Sequence, residues 1–256
     1  MLYGLYASAQ GIQAQSSRVD VIANNLANAS TTGFKRDLAI FQSHRPYDVE
    51  NGLSSEPPGN QNALSGGLST SQVATDFSTG PMTHTGATYD VALTGHGFFQ
   101  VSDGQQRYLT RNGQFTVATN GDLVAQGSGM RVQSTVGGPI SIPAEAVRVE
   151  IADDGTLTTV GTDGAQTQLA RLALVQPASE GQLQKIGNSL YRTDGSVSPA
   201  GPDLQVRQGY VEGSGVSAMS EMVQMIQASR AAEANVNMIK FQDDALDRLL
   251  QAAAPH

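Results

Sequence analysis

The chain has 256 residues, a formal net charge of −8, 15% charged residues, 28 glycines and no cysteine or tryptophan. An acidic balance of this size supplies no cationic footprint for a nucleic-acid backbone, and the lack of cysteine removes disulfides and thiolate metal ligands. No apolar run approaches the roughly 20 residues of a membrane-spanning helix, and the opening residues lack the basic start and apolar stretch of a cleaved secretion signal.

From the start to about Asn28, apolar or small residues recur at Leu2, Leu5, Ala9, Ile12, Ser16, Val19, Ile22 (or Ala23) and Leu26. These gaps of three and four predict a helix of roughly 40 Å with one narrow stripe. The helix runs into NNLANASTTGFKR, Asn24 to Arg36. Asn24, Asn25 and Asn28 belong to a residue type favoured at helix ends. Gly33 is expected to supply a backbone conformation closed to other residues, and Phe34 an anchor behind the turn. Residues 1–42 are therefore read as a helix and turn. Residues 43–82, rich in Ser, Gly, Pro and Asn, are read as a loop or extended connector.

Across residues 83–205 the pattern changes to strand-sized runs: YDVAL, GFFQVS, RYLTR, GQFTV, DLVAQ, and later LARLALVQP and SLYRTDG. Asn112-Gly113, Asn120-Gly121 and Asp154-Gly155 are dipeptides that favour tight hairpins. The reading is a β-rich module of irregular barrel or sandwich type.

Residues 206–256 return to helix. Ser217 is the expected N-cap, and Glu221 falls in the first turn, where the helix dipole favours negative charge. Met222, Met225, Ser229, Ala232, Val236, Ile239, Asp243, Leu246 and Leu250 continue the three-and-four spacing, widened at its start by Val223 and Ile226. The fold class is thus mainly β with long N- and C-terminal α-helices whose heptad spacing suits a coiled coil. The simplest closure pairs the two helices with each other. With Ser16, Ser229 and Asp243 on the stripes, such a pair is marginal, and helices of neighbouring molecules are expected to complete it.

Three blocks in order carry a family resemblance over roughly half of the chain. VIANNLANASTTGFKR (Val21–Arg36) resembles the N-terminal signature of bacterial flagellar rod and hook proteins. YDVALTGHGFFQV followed by YLTRNGQFTVATNGDLV resembles their central block, and Glu221–Leu250 resembles their C-terminal helix. Length and the text EMVQMI look most like a proximal-rod protein, with a distal-rod protein second. The resemblance implies a non-enzymatic, cofactor-free subunit of the basal-body rod, exported by the flagellar type III apparatus without signal cleavage. The terminal helices would form an inner coiled-coil tube crossing the periplasm, with the β-module outside. The implied partners are other copies, other axial rod and hook proteins and the export apparatus, with peptidoglycan and the surrounding ring proteins as further neighbours.

Residue by residue, Asn24, Asn25, Asn28, Thr32, Gly33 and Phe34 match the signature. Glu221, Met222, Val223, Ile226, Arg230 and Glu233 match the C-terminal helix, although Ala231-Ala232 stand where the family usually has an aromatic. The expected subunit contacts are these residues other than Val223, together with Leu2, Leu5, Ile12, Val19, Ile22, Leu26, Met225, Val236, Ile239, Leu246 and Leu250. In this reading the asparagine amides hydrogen-bond neighbouring subunits.

The rival reading is a β-fold enzyme or binding protein acting on peptidoglycan, with helical oligomerisation arms. Such an enzyme needs paired acids in a cleft, and nothing in the pattern marks a pair. His44, His84, His96 and His256 have no second ligand at metal spacing, Asp153-Asp154-Gly155 is a hairpin turn before it is a calcium loop, and Gly127 and Gly129 lie among strand signals.

Overall fold

The computed structural model describes residues 2–43, 68–161 and 164–253. The chain forms two compact units. One comprises Met1–Ala27, Asp37–Thr75 and Ser217–His256, and the other Asn28–Arg36 and Asp76–Val216.

The first unit is helical. Helix α1 spans Leu2–Ala27, strand β1 Arg36–Ser43, strand β2 Leu68–Asp76 and helix α2 Ala218–Ala253. Helix α2 starts immediately after Ser217, whose carbonyl accepts the Glu221 N–H at 3.0 Å, as expected of an N-terminal cap position. Asn25 near the end of α1 meets Glu221 at the start of α2. A Cβ on Gly11 would lie 2.8 Å from the Asn235 side chain. These two contacts are fourteen residues apart on each helix and run in opposite directions, so α1 and α2 pair antiparallel over about 21 Å. Strands β1 and β2 form a separate two-stranded sheet, so the last part of the stretch read as connector is a strand. Residues 44–67 of that stretch lie outside the described residues.

Among the described residues the second unit is built from sixteen further strands. They begin with β3 Met82–His84, β4 Val91–Thr94, β5 Phe98–Ser102, β6 Arg107–Thr110, β7 Phe115–Val117 and β8 Leu123–Ala125. Next come β9 Arg131–Val132, β10 Arg148–Ile151, β11 Thr156–Val160, β12 Gln166–Arg171 and β13 Leu174–Pro177. The last are β14 Leu183–Gly187, β15 Leu190–Thr193, β16 Val197–Pro199, β17 Gln205–Gln208 and β18 Tyr210–Glu212.

The largest sheet runs β14-β15-β6-β5-β9-β8-β7, with β13 pairing both β5 and β16. A three-stranded sheet, β10-β11-β12, and the pairs β4–β17 and β3–β18 complete the unit. These open sheets form no closed barrel among the described residues.

Strand β5 shows how the core is laid out. All five of its residues are buried, because neighbouring side chains point to opposite faces and each face has its own cluster. Phe99 and Val101 join the main core with Val91, Leu93, Leu123, Leu157 and Val206. Phe98 joins Phe77, Leu109 and Tyr191 in an edge-to-face aromatic cluster. Each such side chain contributes roughly 1.5–3 kcal/mol of burial.

Two expected hairpins form. Asn120-Gly121 joins β7 to β8, and Asp154-Gly155 joins β10 to β11, with positive φ at both glycines. Asn112-Gly113 departs from expectation. Strand β6 pairs with β5 and β15 and β7 with β8, so the dipeptide closes no hairpin. The Gly113 carbonyl instead accepts the Val91 N–H at 2.9 Å, and a Cβ on Gly113 would collide with the Val91 carbonyl oxygen. That glycine marks a close approach of two backbone segments.

Candidate functional site

The segment that ends α1 is held by many hydrogen bonds. Asn28 stops the helix locally: its carbonyl accepts the Thr31 N–H at 3.0 Å, and its side-chain oxygen accepts the Thr31 hydroxyl at 3.2 Å. Gly33 then turns with φ +67°, the left-handed conformation expected of it. Space demands glycine as well, because an added Cβ would sit 2.5 Å from the Asn112 backbone nitrogen. Phe34 is buried, with the Lys185 ammonium 3.9 Å from its ring centroid. The Lys185 ammonium also donates to the Lys35 carbonyl, and the Ser189 hydroxyl to the Thr32 carbonyl.

Lys35 ends in a buried charge cluster. Its ammonium donates to Glu212 at 2.5 Å and to the Ser78 carbonyl at 2.7 Å, and both charged side chains are 1% exposed. Arg111, also buried, reaches the other Glu212 oxygen at 3.4 Å, donates to the Gly95 carbonyl and stacks over Phe98. Glu212 further accepts the Gly80 N–H at 2.8 Å. Burial pulls Lys35 and Arg111 below their ordinary pKa values, and Glu212 opposes that shift on both. A buried charge without its partner is strongly destabilising, so this cluster holds only as a set.

In the helical unit the Asn25 amide serves the chain itself. It donates to the Asp37 carbonyl at 2.8 Å and accepts the Asp37 N–H at 2.9 Å. It also lies 3.5 Å from the Glu221 carboxylate, itself buried. Both ends of the Asn25 amide are therefore engaged within the chain itself. Asn28 likewise serves the turn, whereas Asn24 is exposed.

The helix seams are rotated from their expected positions. On α1 the buried line is Gly11, Ala14, Arg18, Ile22 and Asn25, of which Ala14, Ile22 and Asn25 are fully buried. Ile12, Val19 and Leu26 lie about a quarter turn away and are half-buried, while Ala9, Ser16 and Ala23 lie nearly half a turn away and are exposed. On α2 the covered line is Glu221, Met225, Ala228, Ala232, Asn235, Ile239, Gln242 and Leu246, a strict alternation of four and three. Met225, Ala232, Ile239 and Leu246 match expectation. Met222, Ser229, Val236 and Asp243 sit one residue off the line and are exposed, as are Ile226, Arg230 and Glu233. At Met222 and Val236 the periodicity picked the more apolar neighbour, whereas the pair covers the polar Glu221 and Asn235 beside them and leaves the apolar residue outside. The side chains of Leu2, Leu5 and Leu250 lie outside the described residues.

One groove, about 420 Å³, is lined by Asp153, Asp154, Arg171 and the apolar Leu172, Leu174 and Leu204. Its acids are adjacent turn residues. Asp154 accepts the Thr156 N–H and hydroxyl, which hold its carboxyl below the ordinary range, opposite to the raised value of a general acid. Among the described residues no acid or histidine cluster could hold a metal. His84 stacks edge-on against Tyr210, and His96 lies 3.6 Å from exposed Glu180. His44 and His256 lie outside the described residues. No described helix is long and apolar enough to cross a membrane.

An open β-unit and an antiparallel pair of terminal helices, with the post-helix segment clamped by buried charge, define a structural protein organised around its chain ends. Three family models match in chain order: "Flagella basal body rod protein" at residues 5–35, "Flagellar hook protein FlgE/F/G D1 domain" at 92–159 and "Flagellar basal body rod FlgEFG protein C-terminal" at 207–252. The chain is 32% identical to the flagellar basal-body rod protein FlgG of Bacillus subtilis (strain 168), over 98% of each chain. It is 36% identical to FlgG of Buchnera aphidicola from Acyrthosiphon pisum, over 98% of this chain and all of that one. With FlgF of Escherichia coli K12 it shares 33% over 98% of each. The chain belongs to the flagellar basal-body rod protein family.

Sequence reasoning missed Lys35, Asp37, Arg111, Lys185 and Glu212. Lys35 has a usable signal, being a lysine directly after a turn glycine and an aromatic. Glu212 has none, because its partners lie 101 to 177 positions away.

Proposed function

We propose that this protein is a structural subunit of the flagellar basal-body rod that polymerises through its terminal helices into a periplasm-spanning axial tube and transmits torque. It is exported by the flagellar type III apparatus without signal cleavage, has no enzymatic activity, and joins copies of itself and other axial proteins. Its length and the EMVQMI text favour a place in the proximal rod. The observation that carries the reading is the apolar surface that α2 keeps outside its own pair: Met219 is 71%, Ile226 58% and Phe241 70% exposed. Large apolar residues at helical spacing on the uncovered side of a paired helix suit packing by further helices. Of the expected contacts, Met222, Ile226 and Val236 on α2 and the half-buried Ile12 and Val19 on α1 are the ones we assign to neighbouring copies.

Ile226→Asp tests this. In cells it should abolish incorporation into rods, while the purified chain keeps its helical circular dichroism and its thermal midpoint. Normal incorporation would remove the helical-packing reading. Crosslinking from a cysteine placed at exposed Ser30 identifies the axial neighbours and hence the rod segment. Release of soluble fragments from purified peptidoglycan by the intact chain, lost in Asp153→Asn, would support the enzyme reading instead.

A further inference from the structure

Glu212 does more than neutralise one lysine. One carboxylate oxygen takes the Lys35 ammonium and the Gly80 N–H, the other faces the Arg111 guanidinium, and the Glu212 carbonyl accepts the Gly33 N–H at 2.8 Å. Four stretches of chain meet there: the segment after α1, the segment after β2, the end of β6, and β18. Arg111 is shared in a second way, because Gly33 packs against the Arg111–Asn112 backbone while the Arg111 side chain turns to Glu212. Without the carboxylate, two buried cations would face each other across the surface on which Gly33, Phe34 and Lys35 rest. Like charges in a low-dielectric interior repel strongly, so the segment would be driven off.

From this geometry we infer that Glu212 is the positioning residue of the N-terminal signature, the acid that holds residues 33–35 in shape. The signature Thr32 to Lys35 therefore closes the chain upon itself, and its shape depends on a residue 177 positions downstream. In the helical unit, Glu221 stands against Asn25 in the same relation, an acid of the C-terminal third against the N-terminal signature. If the chain is the rod subunit proposed above, α1 becomes competent to assemble only after β18 is in place. The closure claim itself does not rest on that reading.

The test uses the full chain with amide hydrogen exchange resolved to residues 30–36. In Glu212→Gln, exchange at Gly33 and Phe34, whose N–H groups bond the Glu212 and Thr31 carbonyls, should rise at least about tenfold, the scale of losing bonds to a charged group, while the Phe99 and Val101 amides stay protected. Adding Lys35→Met to Glu212→Gln removes one of the two unopposed cations and should restore much of that protection. A merely steric role for Glu212 would make the double variant as exposed as the single or worse. Should Glu212→Gln fail to fold, Lys35→Met alone leaves the Glu212–Arg111 pair intact and should raise exchange at Gly33 and Phe34 with the core unchanged. Protection of Gly33 kept in Glu212→Gln, or in Lys35→Met where that is the variant measured, overturns the inference, as does a double variant without recovery. Normal protection with failed rod incorporation would bear on the assembly reading instead.

Discussion

The helical unit and the β-unit bury different kinds of residue. In the β-unit the fully covered side chains, apart from the Lys35, Arg111 and Glu212 cluster, are mostly large and apolar, such as Phe98, Phe99, Leu93, Leu123, Leu157 and Tyr191. In the helical unit they are Ala14, Ile22 and Ala228 together with polar Asn25 and Glu221, while Met219, Ile226, Met238 and Phe241 stay outside. One unit has completed its core from its own sequence. The other has spent its small and polar residues on an internal pair and kept its larger apolar side chains for contacts outside that pair. Two helices joined by alanines gain little burial against the ordering cost of about sixty residues of helix. The β-unit thus closes its own core, and the helices carry the exposed apolar side chains on which the proposed assembly rests.

The largest effect should come from the β-core. Phe99→Ala removes a ring packed edge-to-face on Phe115 and should cost about 3–5 kcal/mol of that unit's unfolding free energy, read by denaturant titration. If the helical signal melts with the β-unit at every denaturant concentration, the two units are one cooperative block and the contrast between them fails.

Lys35→Met comes next, with an expected loss of about 1–3 kcal/mol at neutral pH from the forfeited charged hydrogen bonds. Its pH dependence sharpens the assignment. Burial lowers the Lys35 pKa below the ordinary 10.5, so the unfolded chain binds this proton more tightly than the folded one. Lys35's contribution therefore becomes more favourable as pH rises from its folded value towards 10.5, and the mutant loses that slope. Denaturation of both proteins between pH 7 and pH 10 measures it.

In the helical unit, Gly11→Leu should force Asn235 aside and part the helices, lowering helical circular dichroism by a change worth about 1–3 kcal/mol while the β-unit's midpoint stays unchanged. Helices that remain fully formed would mean the pair does not depend on close approach at Gly11.

The smallest effect belongs to Asp76, whose half-buried side chain accepts the Ser78 N–H at 2.9 Å. That bond holds its pKa below 3.8, so its contribution is present above that value and is lost as pH falls through the folded one. Asp76→Asn should flatten the acid limb of the stability curve and lower stability slightly at pH 7, where the wild-type contribution is fully present.

Sequence alone determined what depends on neighbours a few positions away. The two helices follow from three-and-four spacing, the turn at Gly33 from its lack of a side chain, the hairpins at Asn120-Gly121 and Asp154-Gly155 from local backbone preference, and the family blocks from contiguous text. Tertiary structure decided whatever required a distant partner. It turned Asn112-Gly113 from a hairpin into a crossing, because Val91 lies against it, and it moved the α2 seam from Met222 and Val236 to Glu221 and Asn235, because Asn25 and Gly11 stand opposite. Asn25 became an internal strut for Asp37 and Glu221, and Glu212 the hub of four segments. Hydrophobic periodicity reports which faces are apolar. Which of them a chain covers with its own residues is set by shape and charge across the fold, and that information is spread over positions more than a hundred apart.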